Sequence, residues 1–318
     1  MHADVPQFLA VDQGAVHIEE DGPQRRMHVL DSVIDEGAAE NPGLSVAVVR
    51  VVVMTVLVTG ATGNIGRKVV DRLLDLGVRD IRALTTNPAK ANLPDGVQVV
   101  TGFLGRPDTL PAALAGVHSV YLAPHPPTLD IALEHVAAAG VEYLVALSGG
   151  AHWQQHADTV AAAPVPSTQL GPGEFCDNFA MWAPQIRTGL VRDVAPDAVE
   201  APVSMDDIAR VAAHLLAHPR DAHLGRMYEL TGPVAISRAE IARQIGLGLG
   251  MPVEARRCSR AEAEALLRPV MGDGAGWYLD LWEGEPEPQA ANDNVEVLTG
   301  TPAETMAHWA SRHREVFA

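Results

Sequence analysis

Three glycines at fixed spacing carry the strongest chemical signal in the chain. They lie in Thr59-Gly60-Ala61-Thr62-Gly63-Asn64-Ile65-Gly66, between a short β-branched run and a stretch with helical periodicity. Each has a separate task in that setting. Gly60 permits a sharp turn, Gly63 lets the backbone approach a pyrophosphate without a Cβ, and Gly66 lets a helix pack closely on a strand. The first helical turn then offers free N–H groups and the positive end of the helix dipole to phosphate. A tight strand–helix turn with no ligand is the plainer reading, and the strand–loop–helix context argues against it.

The surrounding pattern supplies the elements that would hold such a loop. Thr55–Thr59 reads as a strand and Asn64–Leu76 as a helix with Ile65, Val69, Val70, Leu73 and Leu74 on one side, closed by Gly77. Further strands are expected over Asp80–Leu84, Val97–Thr101, Ser119–Leu122 and Glu142–Leu147, with helices over Asp108–Leu114 and Thr128–Ala139. Strands alternating with helices predict an α/β fold with a doubly wound parallel sheet. The second half changes character and predicts a smaller α+β substrate-binding region. Capping boxes there mark helix starts at Ser204, Ser237, Ser259 and Thr301, each with an acid three residues on, and Met227–Leu230 reads as a strand.

Composition narrows the functional classes. The 318 residues are 47% hydrophobic, as a globular chain requires. Acids outnumber bases 40 to 23, a net charge of −17. That balance argues against nucleic acid and anionic membrane as partners and leaves a small-molecule substrate. The chain is expected to act as a monomer or homodimer. Cys176 and Cys258 are too few and too far apart for a disulfide framework or a zinc site. The start shows no signal-peptide pattern, and the longest apolar run, Val46–Val58, is short and interrupted by Arg50. A cytoplasmic protein is expected. Residues 1–53 carry nine acids against Arg25, Arg26 and Arg50 and show weak periodicity. They read either as an appended arm or as a stretch upstream of a natural start at Met54. The expected organisation is therefore 1–53 as an extension, 54–170 as the dinucleotide-binding domain, and 171–318 as a substrate-binding region interleaved with the sheet.

From Met54 onward the chain resembles the NmrA-like family of atypical short-chain dehydrogenase/reductases. The resemblance rests on Gly60-x-x-Gly63-x-x-Gly66, VYLAPHP (120–126), TQLGPGEFCDN (168–178), PVSMDDIARVAAHLL (202–216) and YELTGPVAISRAEIA (228–242). It implies a Rossmann fold and an NAD(P)-binding site. The cofactor contacts it implies are Gly60, Thr62, Gly63, Asn64 and Ile65 at the phosphates. Thr85, Thr86, Asn87 and Lys90 would lie at the adenosine ribose, with Phe103 at the adenine. Ala123, Pro124, Gly149 and Pro172 would face the nicotinamide. No acid follows the second strand for a ribose 2′-hydroxyl, and hydroxyls with Lys90 suit a 2′-phosphate, so NADP(H) is favoured over NAD(H). The family often has an arginine where Thr86 stands, and an Arg-Pro-Gly where Gly171-Pro172-Gly173 stands.

Most short-chain reductases protonate their product with Tyr-x-x-x-Lys. The tyrosines here are 121, 143, 228 and 278, and the residues four on are His125, Leu147, Gly232 and Trp282. The only lysines are Lys68 and Lys90, so that acid is absent. Ser148, at the end of the fifth strand, and His125, after the fourth, are the candidate catalytic side chains. Each also has a plain structural use, as a capping hydroxyl or a loop histidine. His152, Trp153, Phe175, Trp182, Trp277 and Tyr278 are candidates for gripping a flat substrate, against the alternative of ordinary core packing. His152-x-x-x-His156 and His214-x-x-x-His218 have helical metal-ligand spacing without a third partner, so no metal is expected. Two functions follow: an NADPH-dependent reductase of a ketone or quinone, plausibly polycyclic and aromatic, or a non-catalytic redox-sensing regulator.

Overall fold

The computed structural model describes residues 34–35, 48–49, 54–148, 153–282, 284 and 287–318. Residues 1–53 and 54–318 are separate units. In the first, Ile34–Asp35 pairs antiparallel with Val48–Val49; the other expectations for 1–53 lie outside the described residues.

In the second unit, strand and helix alternate much as the periodicity predicts. Val56–Val58 (β1) leads through the glycine loop into Asn64–Asp75 (α1), then Ile81–Thr85 (β2) and Gln98–Thr101 (β3). Leu110–Leu114 (α2), Ser119–Leu122 (β4), Leu129–Ala138 (α3), Tyr143–Leu147 (β5), Gln154–Ala162 (α4) and Ser167–Pro172 (β6) follow. Every residue of β1, β4 and β5 is buried, as in a parallel sheet covered on both faces.

The remaining elements are Ala183–Ile186 (α5), Leu190–Asp193 (β7), Val199–Glu200 (β8), Met205–Ala217 (α6) and Met227–Leu230 (β9). Ile236–Ser237 (β10), Arg238–Leu249 (α7), Glu254–Arg257 (β11), Arg260–Met271 (α8), Gly274–Asp280 (α9), Asn294–Thr299 (α10), Met306–Arg312 (α11) and Arg314–Phe317 (α12) come after.

Seven strands form one parallel sheet in the order β9-β6-β5-β4-β1-β2-β3. The chain runs outward from β1 to β3 and then crosses back to β4. The loops leaving β1 and β4 therefore diverge and open a crevice at the carboxyl ends of the strands. Apolar residues of α1 and α6 cover one face of the sheet; Leu110, Leu114, Leu129, Leu133 and Val160 cover the other. Lys68 of α1 bridges Asp206 of α6 at 2.9 Å. A third cluster, around Trp182, Ile241, Ile245 and Trp309, forms the core of the C-terminal region.

Three of the expected caps hold their helices. Asp207, Glu240 and Glu262 donate backbone N–H to Ser204, Ser237 and Ser259 at 3.0, 3.1 and 3.3 Å. The fourth is corrected. α11 begins after Thr305, whose hydroxyl accepts from His308 N–H at 3.2 Å. The start is later because the Glu304 amide is committed to Asp207 Oδ2 at 2.8 Å and its carboxylate to Arg312.

Gly66 shows how closely the fold holds the loop. A Cβ there would lie 2.2 Å from the Gly60 carbonyl oxygen, and backbone cannot swing aside as a side-chain tip can. Gly66→Ala should lower stability by about 2 kcal/mol, the scale of overpacking, and weaken dinucleotide binding. Thermal melting and cofactor titration test this; a variant matching wild type in both would refute it.

Candidate active site

The glycine loop is shaped for a dinucleotide phosphate. Gly60 has φ +59°, and a Cβ there would meet the Ala123 Cβ at 3.0 Å. A Cβ on Gly63 would come within 3.2 Å of the Gly60 carbonyl. α1 has Gly63 as its N-cap, with no side-chain cap and no acid in its first turn, so its orphan N–H groups are left for an outside acceptor. Gly60, Thr62, Gly63 and Asn64 are exposed, and Ile65 is buried beneath them. Thr59 fixes the crevice: its hydroxyl donates to the Tyr121 carbonyl at 2.9 Å and accepts from Ala123 N–H at 2.8 Å. The chain's residues thus fit an NAD(P) pyrophosphate.

At the other end of this groove, Thr85 is buried and occupied. Its hydroxyl lies 3.3 Å from that of Thr62 and accepts from Asn87 N–H at 3.3 Å. It ties the phosphate loop to β2 and is not free for a ribose. Thr86, Asn87 and Lys90 are exposed. Arg67 holds the backbone after Lys90 in place, donating to the carbonyls of Ala91 and Asn92, and Lys90 itself has no ion-pair partner among the described residues. Phe103 is exposed and meets the His125 ring edge-on at 5.1 Å.

That contact moves His125 away from its expected role. The Thr128 hydroxyl donates its one proton to the Leu104 carbonyl at 2.7 Å. His125 Nδ1, 2.8 Å from the same hydroxyl, must then donate. The imidazole fastens the loop after β4 and stands outside the cavity that Pro124 lines.

This cavity, about 530 Å³, opens at the ends of β5 and β6, a size ordinary for a small-molecule site. Pro124, Ser148, Pro172, Trp153, Phe175, Trp277 and Tyr278 line it, with Trp282, Asn178, Gln289 and three carboxylates, Glu174, Glu200 and Glu287. Among the described residues no lysine or arginine does. Trp277 is 63% exposed at the mouth. Gly149 and His152 lie outside the described residues. Trp182 is corrected: it is 1% exposed and packs in the core against Phe179 and Arg238. Ser148 faces the cavity but its proton is committed. Gln169 Nε2 donates to the Ala157 carbonyl at 3.0 Å, so its Oε1 must accept, and Ser148 Oγ donates to it at 2.6 Å. Toward a ligand Ser148 offers lone pairs.

Behind the cavity wall lies Arg238, fully buried. Its Nε and Nη2 donate to the two oxygens of Asp193 at 3.2 and 2.7 Å, Nη1 to Glu200 at 2.9 Å, and Nη2 to Tyr278 Oη at 2.7 Å. Trp282 stacks on the guanidinium, 4.1 Å from plane centre to charge. Burial raises the pKa of both Glu200 and Glu174, with Arg238 opposing it. Burial likewise raises Tyr278, despite Arg238.

Glu174, Glu200, Asn178, Gln289 and the Arg238 group escape sequence reading, because only the fold brings them together. One signal was available. Arg238 is the first residue of a helix, directly after its Ser237 cap, where a positive charge opposes the helix dipole. No group of three or more His, Cys, Asp or Glu side chains suited to a metal occurs among the described residues. None of the described helices is long and apolar enough to cross a membrane.

Known proteins resemble this chain in sequence and fold. A family model for NAD(P)H-binding proteins matches residues 60–161. The chain is 34% identical over 283 residues to a (4-alkanoyl-5-oxo-2,5-dihydrofuran-3-yl)methyl phosphate reductase of Streptomyces griseus, covering 83% of this chain and 99% of that one. It is 32% identical to an NAD(P)H azoreductase of Xenophilus azovorans, over 82% of this chain and 99% of the other. The crystal structure of an Escherichia coli NADPH-dependent quinone oxidoreductase in complex with NADPH superposes with a TM-score of 0.71 at 25% identity, covering 81% of this chain and 99% of that one. The chain belongs to the NmrA-like family of atypical short-chain dehydrogenase/reductases and is an NAD(P)H-dependent oxidoreductase.

Proposed function

We propose that the protein is an NADPH-dependent reductase of a ketone or quinone whose substrate is a flat aromatic molecule, neutral or cationic. The observation that carries this reading is the cavity wall: Trp153, Phe175, Trp277, Tyr278 and Trp282 offer aromatic faces and edges, and the only charged side chains among the described lining are acids. Aromatic rings favour a stacked planar ligand, and carboxylates beside them repel an anion. The bound nicotinamide supplies hydride. The chain holds it through Gly60, Thr62, Gly63 and Asn64 at the phosphates and presents Pro124, Ser148 and Pro172 on the side facing the substrate.

The lining also argues against a phosphate-bearing substrate like that of the Streptomyces griseus relative, since among the described residues no lysine or arginine lines the cavity to meet the phosphate. Loss of NADPH absorbance with a neutral naphthoquinone tests the reading, and a sulfonated analogue tests its charge preference. The neutral quinone should be reduced with a kcat/KM at least about tenfold higher, the effect of roughly 1.4 kcal/mol of repulsion. Equal reduction of both would sink the charge argument, and no reduction of any quinone or aromatic ketone would sink the reductase reading.

Cofactor choice rests on Lys90. Exposed and without an ion-pair partner among the described residues, it can meet a 2′-phosphate at a cost of side-chain order only. Lys90→Ala should raise the Kd for NADPH about fivefold, near 1 kcal/mol for an exposed charge-assisted contact, and leave that for NADH within about twofold. Unchanged NADPH binding would remove Lys90 from the site.

A further inference from the structure

Hydride delivery to a carbonyl leaves an oxygen that needs a proton, and the cavity must contain its source. Ser148, Tyr278 and Glu174 of its lining can each carry a proton and touch no carboxylate among the described residues. Ser148 already donates to Gln169. Tyr278 accepts a hydrogen bond from Arg238 at 2.7 Å, which favours its ionisation, but burial and the nearby acids outweigh this and make it a weaker acid than a free tyrosine. Glu174 is different. It follows Pro172 by two residues, so the end of β6 carries it into the cavity. One of its oxygens accepts from Asn178 Nδ2 at 3.0 Å. The other has no partner among the described residues.

The charge balance around it decides its state. Arg238 brings one positive charge. Asp193 and Glu200 both contact it directly, which already leaves an excess negative charge. Glu174 is the third carboxylate of the group and touches no cation. Glu287, also in the lining, adds a fourth acid, and Tyr278 is neutral. A further anion at the half-buried Glu174 is unfavourable beside this excess negative charge, which favours a proton on its carboxyl.

We propose that Glu174 is the catalytic proton donor, a carboxylic acid standing where the usual tyrosine of this superfamily is missing. The proposal rests on the reductase reading above. As the carbonyl carbon accepts hydride, the C=O π pair moves to oxygen, the Glu174 O–H bond breaks, and a new O–H bond forms. The alcohol leaves, and the Glu174 carboxylate recovers its proton from water through the open mouth of the cavity. Burial, the largest influence on Glu174, holds its pKa up, and Asn178 and Arg238 hold it back. Deprotonation removes the donor, so ketone kcat/KM should be level at low pH and fall as pH rises through that raised pKa.

A triarylmethyl cation gives a sharp control, because hydride alone converts it to the neutral triarylmethane and no proton is needed. Glu174→Gln keeps the shape and the Asn178 contact without an acidic proton. It should lower the ratio of ketone to triarylmethyl-cation turnover about 100-fold or more, the usual scale of general acid catalysis, and abolish the alkaline limb of the ketone profile. A readout without turnover accompanies it. The infrared difference between wild type and Glu174→Gln should contain a protonated-carboxyl C=O band at neutral pH that disappears in alkali. Glu174→Asp, still an acid, should restore part of the ketone activity.

An unchanged ratio, a retained alkaline limb, or the absence of the infrared band would overturn the proposal. So would Tyr278→Phe lowering the ratio as expected for Glu174→Gln. If the cation is not a substrate of wild type, the ketone limb and the infrared band decide between the same outcomes. A wild type that reduces neither ketone nor quinone at any pH would instead overturn the reductase reading itself.

Discussion

A single buried guanidinium organises the substrate half of the molecule. Arg238 has no access to water, so its charge must be met inside the protein. Leaving such a charge unpaired costs about 3–5 kcal/mol. The fold meets it with Asp193 from β7, Glu200 from β8, Tyr278 from α9 and the face of Trp282. Three separate segments are thereby held at fixed distances from one point. A well-packed apolar cluster of the same volume could be equally stable, so the gain from the ionic arrangement lies in geometry. Three of those partners, Glu200, Tyr278 and Trp282, form one wall of the cavity. Their placement follows from the demands of a charge that no ligand touches.

The two ends of the ligand groove have opposite character. The end beside β2 presents the exposed Lys90 and the open N-terminus of α1, both suited to phosphate. The substrate end presents aromatic rings and carboxylates. A molecule bearing phosphate at one end and an apolar ring system at the other can therefore lie in the crevice in one direction only. Polarity of this kind orients a cofactor before any specific contact with its reactive ring.

What the sequence makes legible follows from how local each signal is. β1, the glycine loop and α1 are read correctly because the turn chemistry and periodicity lie within twenty consecutive residues. β4 and Met227–Leu230 are read to the residue, since fully or partly buried strands show as apolar runs bounded by breakers. Ser204, Ser237 and Ser259 cap as expected because capping is decided within four residues. Thr301 fails because Asp207, far away in sequence, takes the Glu304 amide. Trp182 fails because an aromatic ring looks the same whether a ligand or Arg238 covers it. His125 fails because the Thr128 hydroxyl, its own proton given to the Leu104 carbonyl, takes the ring Nδ1, and the ring is not among the cavity lining. Glu174 and Glu200 are 26 residues apart and read individually as solvated acids. Only the fold reveals that both line one cavity, Glu200 bound to the Arg238 guanidinium and Glu174 held by Asn178 instead.

β9 carries a consequence for how this protein can change. It comes from the C-terminal half yet pairs with β6, Met227 opposite Gln169 through Leu230 opposite Pro172. The nucleotide-binding half without it would present a bare parallel edge, open to pairing with other chains. The halves therefore cannot be exchanged like cassettes between relatives. New substrate preferences in this architecture must arise by point changes along the cavity wall, with the sheet left whole.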